Sequence, residues 1–161
     1  MWNNRLLFWV VWAVFSFSAI ALAQDRPVKR HPDAVWVETL AAGHGAAVTA
    51  DHSYRSMVTL YIENDDGSRT PSGWSTRVAD GAAKDDPFVF QPGVNLIKGW
   101  TEGVLQMKVG ERALLHVPSH KGYGSREMGS PNGAFYIPAK SDLLFDIEIL
   151  SAVGDEAEED L

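Results

Sequence analysis

Leu96-Ile-Lys-Gly-Trp-Thr-Glu-Gly-Val-Leu-Gln-Met-Lys108 is the one stretch of this chain with helical spacing. Ile97, Trp100, Val104 and Met107 recur every three or four residues and share one helical face. Asn95 stands where an N-cap belongs and Gly110 where a C′ glycine belongs, so the pattern predicts a helix over 96–108. On either side the apolar residues alternate instead. Val58, Leu60 and Ile62 interleave with Thr59 and Tyr61, and Ala113, Leu115 and Val117 repeat at every second position. Leu143, Phe145, Ile147 and Ile149 fall on one side of a strand, with Asp146 and Glu148 on the other. Phe88 and Phe90 share a face of a short strand over 87–90, and Val35–Thr39 reads as a further strand. Asn64-Asp-Asp-Gly67 supplies turn chemistry after the first of these runs. One amphipathic helix among five or six strands predicts an α+β domain, with the helix across the concave face of an antiparallel sheet.

The 161 residues allow one ordinary domain. There is no cysteine, which excludes a disulfide scaffold, thiolate chemistry and a cysteine-based zinc site. Fourteen Lys and Arg stand against 21 Asp and Glu, without a basic cluster, which sets nucleic-acid binding aside.

The ends differ from the middle. Residues 6–23, LLFWVVWAVFSFSAIALA, carry no charge, follow Arg5 and end in Ala21-Leu22-Ala23, the pattern of a secretory signal peptide over 1–23. An uncleaved membrane anchor is the competing reading, since the run is just long enough to span a bilayer. The small-x-small site followed at once by Gln24-Asp-Arg26 favours cleavage, and the mature protein is expected to be secreted or periplasmic, with no membrane contact. Residues 24–34 read as a polar arm and 152–161 as an acidic, solvated tail, leaving 35–151 as the folded domain.

A search for acid–base, nucleophilic or metal chemistry returns little. His116 and His120 are four apart, but Pro118 between them removes the helix on which that spacing would aim two imidazoles at one metal. No phosphate-binding loop, dinucleotide fingerprint, G-x-S-x-G or H-E-x-x-H motif occurs. The aromatics are what stand out: Phe88, Phe90, Trp100, Tyr123, Tyr136 and Phe145. A hydrophobic core accounts for most such residues. Tyr123, between Gly122 and Gly124, and Tyr136, after the loop 125–135, sit outside the regular strands, where aromatics can line a cleft.

Taken in order, Phe88-Val-Phe-Gln-Pro-Gly93, Leu96–Arg112, His120-Lys-Gly-Tyr-Gly124, Tyr136-Ile-Pro138 and Leu143-Leu-Phe-Asp-Ile-Glu-Ile-Leu150 resemble an FKBP-type peptidyl-prolyl cis-trans isomerase over about residues 35–151. The resemblance implies an antiparallel, twisted half-barrel sheet wrapped around one short helix. It also implies isomerisation of X-Pro bonds in proline-containing polypeptide clients, and binding of FK506-like macrolides, with neither cofactor nor metal. Carried over by position, Trp100 is the floor under the substrate proline, with Phe88 and Phe145 as walls and Phe90 as a further substrate-binding residue. Leu96 and Tyr136 lie near the rim, and Ile137, also substrate-binding, matches the second of two apolar residues before the flap-loop proline. Ile97 lines the pocket and offers its backbone N–H, and Tyr123 donates its phenol to the substrate carbonyl.

The family pattern breaks between Glu63 and Asp86. An aromatic-Asp pair facing the pocket mouth is expected there, and Trp74-Ser75 is the best placement after a short insertion. Asp80, Asp85 and Asp86 are the carboxylates that would have to substitute for that aspartate in space. A carboxylate missing at Ser75 would reduce turnover. The alternative is an FKBP-like pseudoenzyme or periplasmic chaperone that holds proline-containing or unfolded segments without isomerising them.

Overall fold

The computed structural model describes residues 33–77 and 86–154. The signal-peptide segment, nearly all of the polar arm, Asp80, Asp85 and most of the acidic tail lie outside the described residues. Eight strands and one α-helix follow in chain order: β1 (Trp36–Ala41), β2 (Tyr54–Glu63), β3 (Arg69–Ser75), β4 (Phe88–Phe90), α1 (Lys98–Val104), β5 (Arg112–Val117), β6 (Met128–Gly129), β7 (Tyr136–Ile137) and β8 (Asp142–Ala152). A single 3-10 turn, Ser119–Lys121, follows β5. No helix among the described residues is long and apolar enough to cross a membrane.

The main sheet is open, antiparallel and six-stranded, in the order β1-β5-β8-β2-β3, with β4 on the first residues of β2 and β3 on its last. β6 and β7 form a separate two-stranded hairpin. Strand alternation sorts the two faces. Val58, Leu60, Ala113, Leu115, Val117, Leu143, Phe145, Ile147 and Ile149 are buried beneath the helix in one core. The outer face carries ion pairs. Arg112 donates from Nε and Nη2 to the two oxygens of Asp146, both at 2.9 Å, and Arg77 Nη2 donates to Glu148 Oε2 at 3.0 Å.

α1 is shorter than its apolar period predicts. Residues 105–107 continue as tight turns, with the N–H of Gln106 donating to Gly103 O and that of Met107 to Val104 O. From there the backbone turns to Gly45–Val48. Val48 donates to Met107 O at 3.0 Å, Gly45 to Val109 O at 3.0 Å, and Val109 to Ala46 O at 2.9 Å. Met107 is fully buried, so the sequence period reports its burial correctly while its carbonyl serves a different partner. Asn95 does not cap the helix. It is left-handed, with φ 54°, and Ile97 occupies the N-cap position with no side-chain hydrogen bond.

What seats the helix is a pair of glycines one turn apart. A β-carbon on Gly99 would overlap Val117 Cγ1, and one on Gly103 would overlap Leu115 Cδ1. The helix therefore lies closer to β5 than any larger residue permits at these positions. Gly99→Ala should gain up to about 1 kcal/mol of helix propensity and lose about 1–3 kcal/mol to overpacking, because β-branched Val117 cannot swing aside. A net destabilisation in urea unfolding is expected; a stabilised variant would show that this contact does not limit the seating of the helix.

Candidate active site

The close seating of α1 brings Trp100 into the middle of the aromatic residues. Its ring is 3% exposed and meets three phenylalanines edge-on: Phe145 at 5.0 Å and 87°, Phe90 at 5.5 Å and 84°, and Phe88 at 5.8 Å and 80°. Edge-to-face geometry suits the ring quadrupoles and orients the indole more tightly than area burial alone. Phe88 and Phe90 come from β4, where the two-residue repeat stacks them 6.2 Å apart and turns Val89 outward at 55% exposure. Phe145 comes from the inner face of β8. The indole N–H of Trp100 is buried with no hydrogen-bond partner among the described residues.

Around this cluster Leu96, Ile97 and Tyr123 pack half-buried against the core, and Ile137 is buried within it. As the helix N-cap, Ile97 has an extended backbone, φ −64° and ψ 149°, and its N–H donates to no acceptor among the described residues. Burial pushes the Tyr123 phenol above its usual range, and no hydrogen bond from the described residues offsets that. It is a neutral donor beside an apolar surface.

Tyr136 stands apart from the others. In the β6–β7 hairpin Met128 faces Ile137 and Gly129 faces Tyr136, so Ile137 and Met128 turn to the core. Tyr136 turns away and donates its hydroxyl to Glu127 Oε1 at 3.2 Å. Partial desolvation, and then Glu127, raises its pKa. The residue expected at the rim is thus on the other side of the hairpin, and Met128 takes the inward position.

The departure between β2 and β4 has a structural form. Thr59 pairs with Ser75 and Tyr61 with Pro71, so β3 holds two more residues than β2 between these pairs and bulges. Ser72, buried in the bulge, donates its hydroxyl to Leu60 O at 2.7 Å. Trp74 turns inward, edge-on to Phe88 at 6.0 Å and 85°, and extends the aromatic wall. It was legible only as a family position, because Pro71 and Gly73 break the strand alternation around it. Ser75 turns outward, with its hydroxyl 2.8 Å from Thr59 Oγ1 and accepting the Arg77 N–H at 3.1 Å. Asp86 is exposed.

The histidines nearest to Trp100 in sequence do not join it. His116 sits between Leu115 and Val117, so alternation turns it to the outer face. There it stacks on Trp36, with centroids 4.1 Å apart and planes 8° apart, and its Nδ1 lies 2.9 Å from Glu63 Oε1. His120 lies in the 3-10 turn, and no group of three or more potential ligands forms a metal site among the described residues.

Because Ser75 faces away from Trp100, Ser75→Asp should leave the isomerase rate within about twofold of the parent, well below the roughly tenfold that 1.4 kcal/mol represents. A larger gain would mean that the residue turns inward in solution.

A family model described as FKBP-type peptidyl-prolyl cis-trans isomerase matches residues 62–150. FK506-binding protein 1 of Gibberella zeae is 36% identical over 111 residues, covering 68% of this chain and 90% of that protein. FK506-binding protein 2 of Debaryomyces hansenii is 35% identical over 108 residues, covering 65% and 70%. The crystal structure of AtFKBP13 superposes with a TM-score of 0.59 at 27% identity, over 74% of this chain and 94% of that one. A peptidyl-prolyl cis-trans isomerase of Pseudomonas syringae shares the fold, with a TM-score of 0.54 at 21% identity, over 74% and 76%. With the family model spanning more than half of its length and most of a relative's length aligned at over a third identity, this chain belongs to the FKBP-type peptidyl-prolyl cis-trans isomerases.

Proposed function

We propose that the protein isomerises X-Pro bonds of exported polypeptides in an apolar pocket formed by its aromatic cluster. The observation that carries this reading is the edge-on enclosure of Trp100 by Phe88, Phe90 and Phe145, with Tyr123 half-buried against the same core and its phenol without a hydrogen bond among the described residues. Rotation about X-Pro must overcome roughly 18–20 kcal/mol of amide resonance, and it takes tens to hundreds of seconds without help. The planar amide is charge-separated, and the twisted one less so. An apolar surface under the proline ring therefore disfavours the planar form relative to the twisted one, while Tyr123 O–H and Ile97 N–H hold the carbonyls. Raising the rate from ~0.01 to ~100 s⁻¹ requires only about 5–6 kcal/mol, which positioning and desolvation can supply without a covalent step.

In this reading Trp74 extends the wall beside Phe88, and FK506-like macrolides compete for the same surface, as the names of the relatives suggest. One observation favours a second reading, a binder of proline-containing segments with little turnover: β3 holds no Asp or Glu, so it brings no carboxylate to the cluster. Export rests on the uncharged run 6–23 and its Ala21-Leu22-Ala23 ending.

A protease-coupled refolding assay on a proline-limited substrate separates the two functions. Acceleration is expected, with kcat/KM reduced about tenfold in Tyr123→Phe, the loss of one hydrogen bond in a water-poor site. Because burial raises the Tyr123 pKa, the phenol stays a donor and the rate stays flat between about pH 6 and 8.5. It should fall only above the ordinary tyrosine range, as the phenol ionises, and that alkaline fall should vanish in Tyr123→Phe. Binding of proline peptides without acceleration would favour the second reading. For localisation, N-terminal sequencing of exported protein should begin at Gln24; a sequence that still shows Met1 or Leu6 would replace cleavage with anchoring.

A further inference from the structure

We propose that Asp142 is the positioning residue for Tyr123: its carboxylate holds the turn that carries the phenol and so sets where the hydroxyl stands against the core that contains Trp100. The inference rests on the reading of Tyr123 as the donor to the substrate. Tyr123 belongs to no strand or helix, so something outside its own backbone must hold it in place. It follows Pro118 and the 3-10 turn Ser119–Lys121, whose first N–H groups have no partner within the turn. Asp142 Oδ1 accepts the first of them, Ser119 N–H, at 2.6 Å.

Both ends of that bond are tied to the site. Asp142 is the first residue of β8, three before Phe145, so its carboxylate has a set position relative to the ring that meets Trp100 at 5.0 Å. Ser119 O accepts the amides of Gly122 at 3.0 Å and Gly124 at 2.8 Å, which bracket Tyr123. Gly124 O in turn accepts Lys140 N–H at 2.7 Å, two residues before Asp142. The loop is thereby closed onto segment 140–142 at both ends. Gly122 also packs on this strand, where a β-carbon would meet Leu143 Cδ1 at 3.1 Å. A further tie, Lys121 Nζ to Glu102 Oε2 at 2.6 Å, reaches α1, but both side chains are partly exposed and such pairs hold weakly. A charged acceptor on a backbone N–H is the stronger constraint.

Glu63 faces Asp142 across the β2–β8 pair and is itself engaged by His116, so charge and hydrogen bonding at Asp142 must be separated experimentally. Asp142→Ala removes both. Asp142→Asn removes the charge and keeps an acceptor oxygen. Ser119→Pro deletes the same bond from the donor side; Pro118 is already extended, with φ −64° and ψ 150°, as a residue before proline must be.

Titration of the Tyr123 phenol, followed by NMR in protein carrying labelled tyrosine and assigned with Tyr123→Phe, reads its burial directly. Asp142→Ala and Ser119→Pro should lower the Tyr123 midpoint toward the ordinary value of about 10 and reduce kcat/KM by about three- to tenfold. Asp142→Asn, with a weaker neutral acceptor, should shift both less. If either bond-deleting variant is unfolded, the other carries the test. A Tyr123 midpoint unchanged by loss of the bond overturns the proposal, as does an equal shift in Asp142→Asn, which would assign the effect to charge. A midpoint that moves as expected, while Tyr123→Phe turns over at the parental rate, upholds the positioning role and removes the donor reading instead.

Discussion

The contact of Gly99 and Gly103 with Val117 and Leu115 is the constraint from which the rest of the domain follows. α1 is seven residues long and has no side-chain cap. A helix that short does not persist in water by itself, so packing must hold it. Two glycines one turn apart remove the side chains that would keep the helix off the sheet. Trp100, next to the first of them, then reaches into the core and meets Phe145 at 5.0 Å. A larger residue at either position would lift the indole and loosen all three edge-on contacts together.

Strand alternation then separates two environments that could not share one face. Inward, β5 and β8 present Leu115, Val117, Leu143 and Phe145 to the helix. Outward, the same strands carry Arg112 and Asp146 in a two-bonded pair, Glu148 with Arg77, and His116 between Trp36 and Glu63. Keeping ionic groups on the far side of the sheet leaves the aromatic cluster without a charge from these strands. Catalysis that depends on disfavouring a charge-separated amide benefits from that separation. The β3 bulge follows the same logic, because its two extra residues turn Trp74 toward Phe88 and Ser75 toward Thr59.

The loops add to what the strands supply. Tyr123 comes from a turn fastened by Asp142. The β6–β7 hairpin contributes Ile137 and Met128 through one cross-strand pair, and that same pair turns Tyr136 to Glu127.

The amino-acid sequence by itself determined the strands with clean alternation, the position of the one helix and the identity of its buried face. These are local patterns, set by the side-chain period of each element. The order of motifs singles out Trp100, Phe88, Phe90, Ile97, Tyr123 and Phe145; in the fold the three phenylalanines meet the indole edge-on, and Ile97 and Tyr123 pack against the same core. Tertiary structure alone decided where the helix ends, because the backbone of Met107 and Val109 bonds to residues 45–48, some sixty positions away in the chain. It alone turned Tyr136 out, Met128 in and Ser75 away, because each orientation depends on cross-strand register. A one-residue change of register would reverse every one of them without altering composition, spacing or hydrophobicity.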